Sequence, residues 1–408
     1  MMNNAIVIGA GPAGLSGAIS MAQQGLKVTV IDEYMKAGGR LLGQLYEEPT
    51  GGWWNGVKES ANLYNSALSL GVDFKLSTPV SNIEKIDGQW VVYTNEHTYT
   101  TPNLLLATGA AELPIPIPGW TLPGVMSVGA AQVMTNVHRV KPGNKGVIVG
   151  VNVLSSAIAM ELKIANIEVA CIALPRLTKV SEETGNPLTV MNSLLNVAHM
   201  APSQLVKMGS KLMKNDFLKK MGITFYPKKG MKMWDIPIML RKAVIEIYGN
   251  NSVDGVILAD ISPSGEIIPG TETKISADFV CIAGGLYPLA ELAALAGCPF
   301  HWIEELGGYV PLHNEKMETV LDGLYVAGNI TGIEGAKIAI KQGHLAGLTI
   351  ANKNYHGKLE QEIQDALQQL NSTRENAFIQ FHPDINIGKQ KLQQYWIKHQ
   401  QDIKLVKN

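Results

Sequence analysis

Three glycines, Gly9, Gly11 and Gly14, stand in "IGAGPAGLS" (8–16) at the spacing G-x-G-x-x-G, and Asp32 closes "KVTVID" (27–32) eighteen residues after the last of them. The chemistry open to such a set is the holding of a diphosphate and a ribose. Gly9 allows a tight turn, Gly11 lets main chain approach a pyrophosphate, and Gly14 lets a helix pack close to its strand. Free N–H groups and the positive end of the helix dipole face the phosphates, while Asp32 can accept from two ribose hydroxyls. No catalytic acid, base or nucleophile stands out. The nine histidines form no HxH or HExxH pair, which leaves metal chemistry unsupported. His138, His301 and His344 are lone histidines and none is nominated. Cys171, Cys281 and Cys298 make no CxxC, disulfide framework or zinc pattern, and a reducing compartment fits them.

These residues need a strand, a turn and a helix to position them. "AIVIG" (5–9) reads as a short strand buried on both faces, a helix starts near Pro12, and "KVTVID" is a second buried strand ending in an acid. The order strand, helix, strand, acid makes this a specific dinucleotide signature, though it does not separate NAD from FAD. An offset of 141 residues reveals a damaged copy: "KGVIVG" (145–150), "SSAIAMEL" (155–162) and "IEVACIA" (167–173) repeat the unit. There Gly9 aligns with Gly150, Gly11 with Asn152, Gly14 with Ser155 and Asp32 with Ala173. Asn152 puts a side chain where a pyrophosphate would approach, Ser155 crowds the helix against its strand, and Ala173 cannot hold a ribose. The expectation is a scaffold or an adenine-nucleotide regulatory site, with weak nucleotide binding left open and Arg176 as a candidate for a 2′-phosphate.

Three further stretches resemble two-dinucleotide-domain FAD-dependent oxidoreductases of the thioredoxin-reductase type. They are "AGGR" (37–40), "LLLATGA" (104–110) and "GLYVAGNITGIEGAKIAIKQG" (323–343). The resemblance implies an α/β fold of two Rossmann-like domains, the second inserted into the first. It also implies FAD contacts at Gly9, Gly11, Pro12, Ala13 and Gly14 (pyrophosphate), at Asp32 and Glu33 (ribose), and at Gly39 and Arg40, although Arg40 reads equally well as a solvated surface residue. Val80 would meet the adenine by backbone, and Ala107, Thr108 and Gly109 would line the cofactor. Gly328 and Asn329 would face the ribityl chain and phosphate, and Ala336 starts the final helix. Asn329 departs from the family's Asp: it keeps an acceptor oxygen but removes a negative charge.

"LPIPIPGWTLPGVMSVGAAQVM" (113–134) and "ADFVCIAGGLYPLAELAALAGCPF" (277–300) further resemble the FAD-binding subunits of dye-linked L-proline and opine dehydrogenases and hydrogen cyanide synthase, with a related module in the α chain of sarcosine oxidase. That likeness implies a subunit of a secondary-amine amino-acid dehydrogenase complex, acting on a small-molecule amine or electron acceptor. Its partner would be another flavoprotein, an iron–sulfur subunit, or both; this chain has no cysteine after Cys298 to hold a cluster itself. Two alternatives remain: an NAD(P)H-dependent flavin reductase, and a non-catalytic interaction subunit stabilised by FAD.

The 408 residues suggest two or three domains. The motifs place a discontinuous FAD domain at 1–115 and 285–355, an inserted degenerate NAD(P)-binding-like domain at 116–284, and a helical tail at 356–408. Within the insert, 188–200 and 203–221 read as a helical hairpin broken at Pro202, with Leu205, Met208, Leu212 and Met213 near one face. "KLEQEIQDALQQL" (358–370) reads as a packing or partner-binding helix. With 34 Lys plus Arg against 35 Asp plus Glu, nothing argues for nucleic acid. The uncharged stretch 5–26 carries five glycines and a proline, which suits a nucleotide-binding unit better than a membrane span. A cytoplasmic location is expected.

Overall fold

The structure, a computed structural model, describes residues 4–48, 51–196, 216–354, 357–377, 380–382 and 384–407. The chain forms two compact units: Met1–Gln44 with Asn55–Ala111 and Leu286–Asn408, and Leu45–Trp54 with Glu112–Gly285.

The first unit is built on a five-stranded parallel sheet in the order Leu324–Val326, Leu104–Leu106, Ala5–Ile8, Val28–Ile31, Asp73–Lys75. The four strands Ala5–Ile8, Val28–Ile31, Leu104–Leu106 and Leu324–Val326 are buried throughout, as expected of strands covered on both faces. From Ala5–Ile8 the chain first adds a strand on one side and later one on the other. The crevice for a ligand therefore opens at the carboxyl end of Ala5–Ile8. A three-stranded antiparallel sheet, Val80–Ile86, Gln89–Thr94 and Thr98–Thr101, buries Trp90 and Ile83 against one face.

Helix Pro12–Gln23 covers the other face and crosses helix Ala336–Asn354 at very short range. Glycines make the crossing possible. A Cβ on Gly343 would lie 2.0 Å from the carbonyl oxygen of Ala13, and one on Gly347 2.5 Å from that of Gly17. A Cβ on Gly17 would in turn meet Leu105 Cδ2 at 2.7 Å. Helix Glu360–Glu375 buries Ile363, Ala366 and Leu370 in this same core. The final helix, Ile385–Lys407, joins a smaller cluster through Ile385 and Leu392.

The second unit holds an eight-stranded sheet. Val125–Ser127, Phe279–Ile282, Lys145–Val149, Glu168–Pro175 and Ile236–Gly249 run parallel, and Val253–Asp260, Thr273–Ser276 and Met231–Met233 add antiparallel pairs. Helix Val153–Ile164 packs on it with Ile158, Ala159 and Leu162 inward. Of the expected helical hairpin, the described residues show a helix at Pro187–Asn196 and another at Asp216–Thr224, which extends past the expected end at 221. Residues 197–215, including Pro202, Leu205, Met208, Leu212 and Met213, lie outside the described residues.

One carboxylate in this unit is buried with no cation beside it among the described residues. Glu161 accepts from Leu45 N–H at 3.0 Å, from Gln132 Nε2 at 2.8 Å and from Asn136 Nδ2 at 2.9 Å. Burial pushes its pKa up to about 7, against the pull of these three donors.

Two outcomes follow. Gly343→Ala must drive the two helices apart or strain them, so it should cost about 1–3 kcal/mol in thermal unfolding. At Glu161 the folded chain binds a proton between pH 4.5 and about 7 that the unfolded chain does not. The stability due to this group therefore falls as pH rises through that window. Urea unfolding of wild type relative to Glu161→Gln should worsen by up to ~3 kcal/mol between about pH 5 and pH 8; a flat difference would disprove the burial argument.

Candidate functional site

The loop after Ala5–Ile8 is shaped by its glycines. Gly9 has φ +105°, and a Cβ on it would sit 2.4 Å from the carbonyl oxygen of Ala107. Its N–H donates to Ile31 O at 2.8 Å. A Cβ on Gly14 would lie 1.8 Å from Gly9 O, so this glycine lets the helix start directly against the turn. Gly11 is different. Its φ of −72° and ψ of −177° suit any residue, and among the described residues no atom beyond its chain neighbours lies within 4 Å of where its Cβ would be. Nothing in the fold requires glycine there, whereas a diphosphate laid against the helix does.

The helix presents its first turn without a side-chain cap, and the first intrahelical bond is Leu15 N–H to Gly11 O at 2.9 Å. Pro12 has no N–H, so Ala13 and Gly14 present theirs at the positive end of the dipole. Asp32 holds the loop from the next strand: Oδ2 accepts from Ala10 N–H at 2.5 Å and Oδ1 from Tyr34 N–H at 2.7 Å. Burial raises the pKa of this carboxyl, and the two amides pull it back. Each oxygen keeps a second lone pair for a hydroxyl. The uncapped turn, the open space at Gly11 and the acid fit the pyrophosphate and ribose of a dinucleotide.

Of the other expected residues, Gly39, Ala107 and Gly328 stand directly against the loop or its helix. A Cβ on Gly39 (φ +53°) would lie 3.2 Å from Gly11 Cα. Arg40 is half-buried and donates from Nε to Ala110 O at 3.1 Å. Thr78 N–H donates to Asp32 O at 2.9 Å, which brings the start of Val80–Ile86 beside the acid; Glu33 is exposed next to it. Ala107 N–H bonds to Ile8 O at 2.8 Å, Thr108 Oγ1 donates to Leu289 O at 2.5 Å, and Gly109 takes φ +81°. A Cβ on Gly328 would stand 2.9 Å from Ala13 Cβ. Asn329 Oδ1 accepts from Glu334 N–H at 3.1 Å, and Ala336 begins the helix that crosses Pro12–Gln23. Glu334 and Gln342, unremarked in the sequence although both lie in the 323–343 motif, hold this segment. Gln342 Oε1 accepts from Gly328 N–H at 2.8 Å, and its Nε2 donates to Glu334 Oε2 at 2.9 Å.

The second copy keeps the turn and closes the helix end. Gly150 has φ +110°, and its N–H donates to Ala173 O at 2.8 Å, as Gly9 does to Ile31. Asn152, however, does not project into the approach. Its Oδ1 accepts from Ser155 N–H at 2.9 Å, its Nδ2 donates to Ala283 O at 2.9 Å, and Ser155 Oγ accepts from Asn152 N–H at 2.9 Å. This reciprocal capping box consumes donors that the first copy leaves free. Ser155 is thus a cap as well as a bulkier residue, and φ at the capping residue moves to −152° from −72°. The alignment of Ala173 with Asp32 is corrected by one residue. Ile8 pairs with Ile31, but a register shift between Gly146 and Val147 makes Val149 pair with Ala173. Leu174, fully buried, therefore follows where the acid would stand, and it offers no acceptor. Arg176 is exposed two residues further on.

The three thiols are buried in different apolar clusters. Burial pushes Cys171 and Cys298 up to about 12 and Cys281 higher still, so none is a thiolate at neutral pH.

Comparison with known proteins agrees with this geometry. Residues 3–343 match the family described as pyridine nucleotide-disulphide oxidoreductase. An opine oxidase subunit from Rhizobium meliloti (strain 1021) is 28% identical over 369 residues, covering 85% of this chain and 70% of the relative. Its counterpart from Agrobacterium tumefaciens (strain Ach5) is 30% identical over 364 residues, 84% of this chain and 64% of its own length. The HcnB component of hydrogen cyanide synthase from Pseudomonas aeruginosa is 24% identical over 359 residues, 85% and 70%. The chain thus spans roughly two thirds of the length of these relatives. The crystal structure of T. acidophilum thioredoxin reductase superposes with a TM-score of 0.62 at 19% identity, over 86% of this chain and 99% of that one, and shows the two-domain Rossmann fold. No described helix is long and apolar enough to cross a membrane. With its motifs, its open phosphate loop and a match over most of its length, the chain belongs to the pyridine nucleotide-disulphide oxidoreductase family and is an FAD-dependent oxidoreductase.

Proposed function

We propose that this chain is the FAD-carrying electron-transfer component of a cytoplasmic complex that oxidises a secondary-amine amino acid of the proline, opine or sarcosine type. Its second unit takes no hydride from NADH or NADPH. The observation that carries this reading is the Asn152–Ser155 capping box with Leu174 in the acid position, because together they take up the Asn152 and Ser155 amides and remove the ribose acceptor on which a nicotinamide dinucleotide would depend. The names of the relatives, subunits of an opine oxidase and of hydrogen cyanide synthase, support a place in a complex. A partner flavoprotein, with or without an iron–sulfur protein, would complete it.

In this reading residues 1–115 and 285–355 form the FAD domain, 116–284 a nucleotide-free scaffold and 356–408 a helical tail. Ala13 and Gly14 donate to the pyrophosphate across Gly11, and Asp32 with Glu33 receives the ribose. Gly39 and Arg40 fold over the loop, and Val80 meets the adenine with its backbone. Ala107, Thr108 and Gly109 line the cofactor. Gly328 and Asn329 face the ribityl chain, and the helix from Ala336 aims at the flavin. Bound FAD supplies the two-electron chemistry.

Stopped-flow reduction tests the proposal. The purified flavoprotein should resist NADPH and NADH and be reduced by L-proline, an opine or sarcosine once its co-purifying partners are present. Rapid reduction by micromolar NADPH would replace this reading with a pyridine-nucleotide-dependent flavin reductase. The phosphate loop has its own test. Gly11→Val should cost the FAD-free chain no more than about 1 kcal/mol, the loss of a glycine N-cap, and weaken FAD binding by at least about tenfold in a fluorescence titration.

A further inference from the structure

The family match ends at residue 343, yet two cations from beyond it reach into the cofactor unit. Arg374, on helix Glu360–Glu375, is 8% exposed and grips Glu334 with both ends of its fork, Nε to Oε1 at 2.6 Å and Nη2 to Oε2 at 3.1 Å. Its Nη1 donates to Asn371 Oδ1 at 3.2 Å. Lys389, on the final helix, lies 3.6 Å from Glu334 Oε2 and donates to Thr331 O at 2.8 Å.

The bonds that these two cations make outside the tail end on the segment 328–334. Glu334 receives Gln342, which accepts the Gly328 N–H. Thr331 Oγ1 donates to Gly328 O at 2.9 Å, and Asn329 Oδ1 accepts from Glu334 N–H. Gly328 is thereby held at its nitrogen and its oxygen, in a conformation (φ +81°, ψ −155°) that only glycine takes readily. Burial opposes the charge on Glu334, but Lys389 and Arg374 outweigh it and keep its carboxyl below the ordinary range. A buried carboxylate that loses one of its cations is left uncompensated, which destabilises the segment it holds.

We propose that the C-terminal helices are part of the cofactor site: Arg374 and Lys389 clamp Glu334, and through Gln342 they set the position of the Gly328–Asn329 loop against FAD. Arg374, Gln342 and Glu334 act as positioning residues, through the bonds they make to one another and to Gly328. The inference rests on the reading of 328–336 as the flavin loop.

The test uses the full chain stripped of FAD and then titrated with it. Readouts are the dissociation constant, the visible circular dichroism of bound flavin and the melting midpoint of the FAD-free protein. Arg374→Met and Gln342→Leu should each weaken FAD by about tenfold or more and alter the visible dichroism. Arg374→Lys, which keeps the charge but loses the fork, should recover part of the affinity. If Arg374→Met does not fold, Lys389→Gln, which removes only the outer cation, should show the same change in smaller degree. Variants that melt lower when FAD-free, yet bind FAD with wild-type affinity and dichroism, would overturn the inference and leave the tail a packing element. Failure of the wild-type chain to take up FAD would instead overturn the reading of the loop, and the inference with it.

Discussion

Main chain meeting main chain without intervening side chains is the constraint on which the first unit depends. Helix Pro12–Gln23 is in contact with its own turn at Gly14, and with helix Ala336–Asn354 at Gly17, Gly343 and Gly347. Its turn is in contact with the end of the neighbouring strand Leu104–Leu106, where Gly9 meets Ala107. Remove that closeness and the helix start moves away from the carboxyl ends of the strands. The uncapped donors of Ala13 and Gly14 would then no longer face the crevice where the strand order reverses. Dense packing turns a small displacement here into loss of register, since such interiors yield little.

The two copies of this unit show how one backbone serves opposite ends. Both turns use a glycine at nearly the same φ, +105° and +110°, and both route an N–H to the neighbouring strand. What differs is where the helix's first donors go. In the first copy no side chain caps them, so a ligand's phosphates are the natural acceptors. In the second an asparagine and a serine satisfy each other, so the Asn152 and Ser155 amides are taken before any ligand arrives. A capping box stabilises a helix by about 1 kcal/mol, and the same bonds compete with anion binding.

Two buried glutamates illustrate a related choice. Glu334 faces Arg374 and Lys389 and stays charged. Glu161 faces only neutral donors among the described residues, and burial brings its pKa to about 7. Hydrogen bonds from amides do not replace a counter-charge in a low-dielectric interior. Glu334 is therefore a fixed anchor for the segment it holds, and Glu161 is a group whose charge follows pH.

The phosphate loop, its repeat, the flanking strands and the family were legible in the sequence because they rest on local rules: glycine spacing, apolar runs and short-range order. Asp32 followed from its spacing to the glycines, whereas the residues from Glu33 to Ala336 were named through motif resemblance. The capping role of Ser155 and the shift from Ala173 to Leu174 were not legible. A bulge adds one residue to a strand without any mark in the sequence, and a fixed offset cannot register it. Nor did the sequence reveal that Arg374 and Lys389 pair with Glu334, 40 and 55 positions away. Isolated Arg, Lys and Glu residues look like solvated surface until packing removes the water around them. By itself, then, the sequence determined the binding unit and its duplication. Tertiary structure alone decided which helix end stays open and which charges are buried, because both depend on neighbours that only folding brings within hydrogen-bond distance.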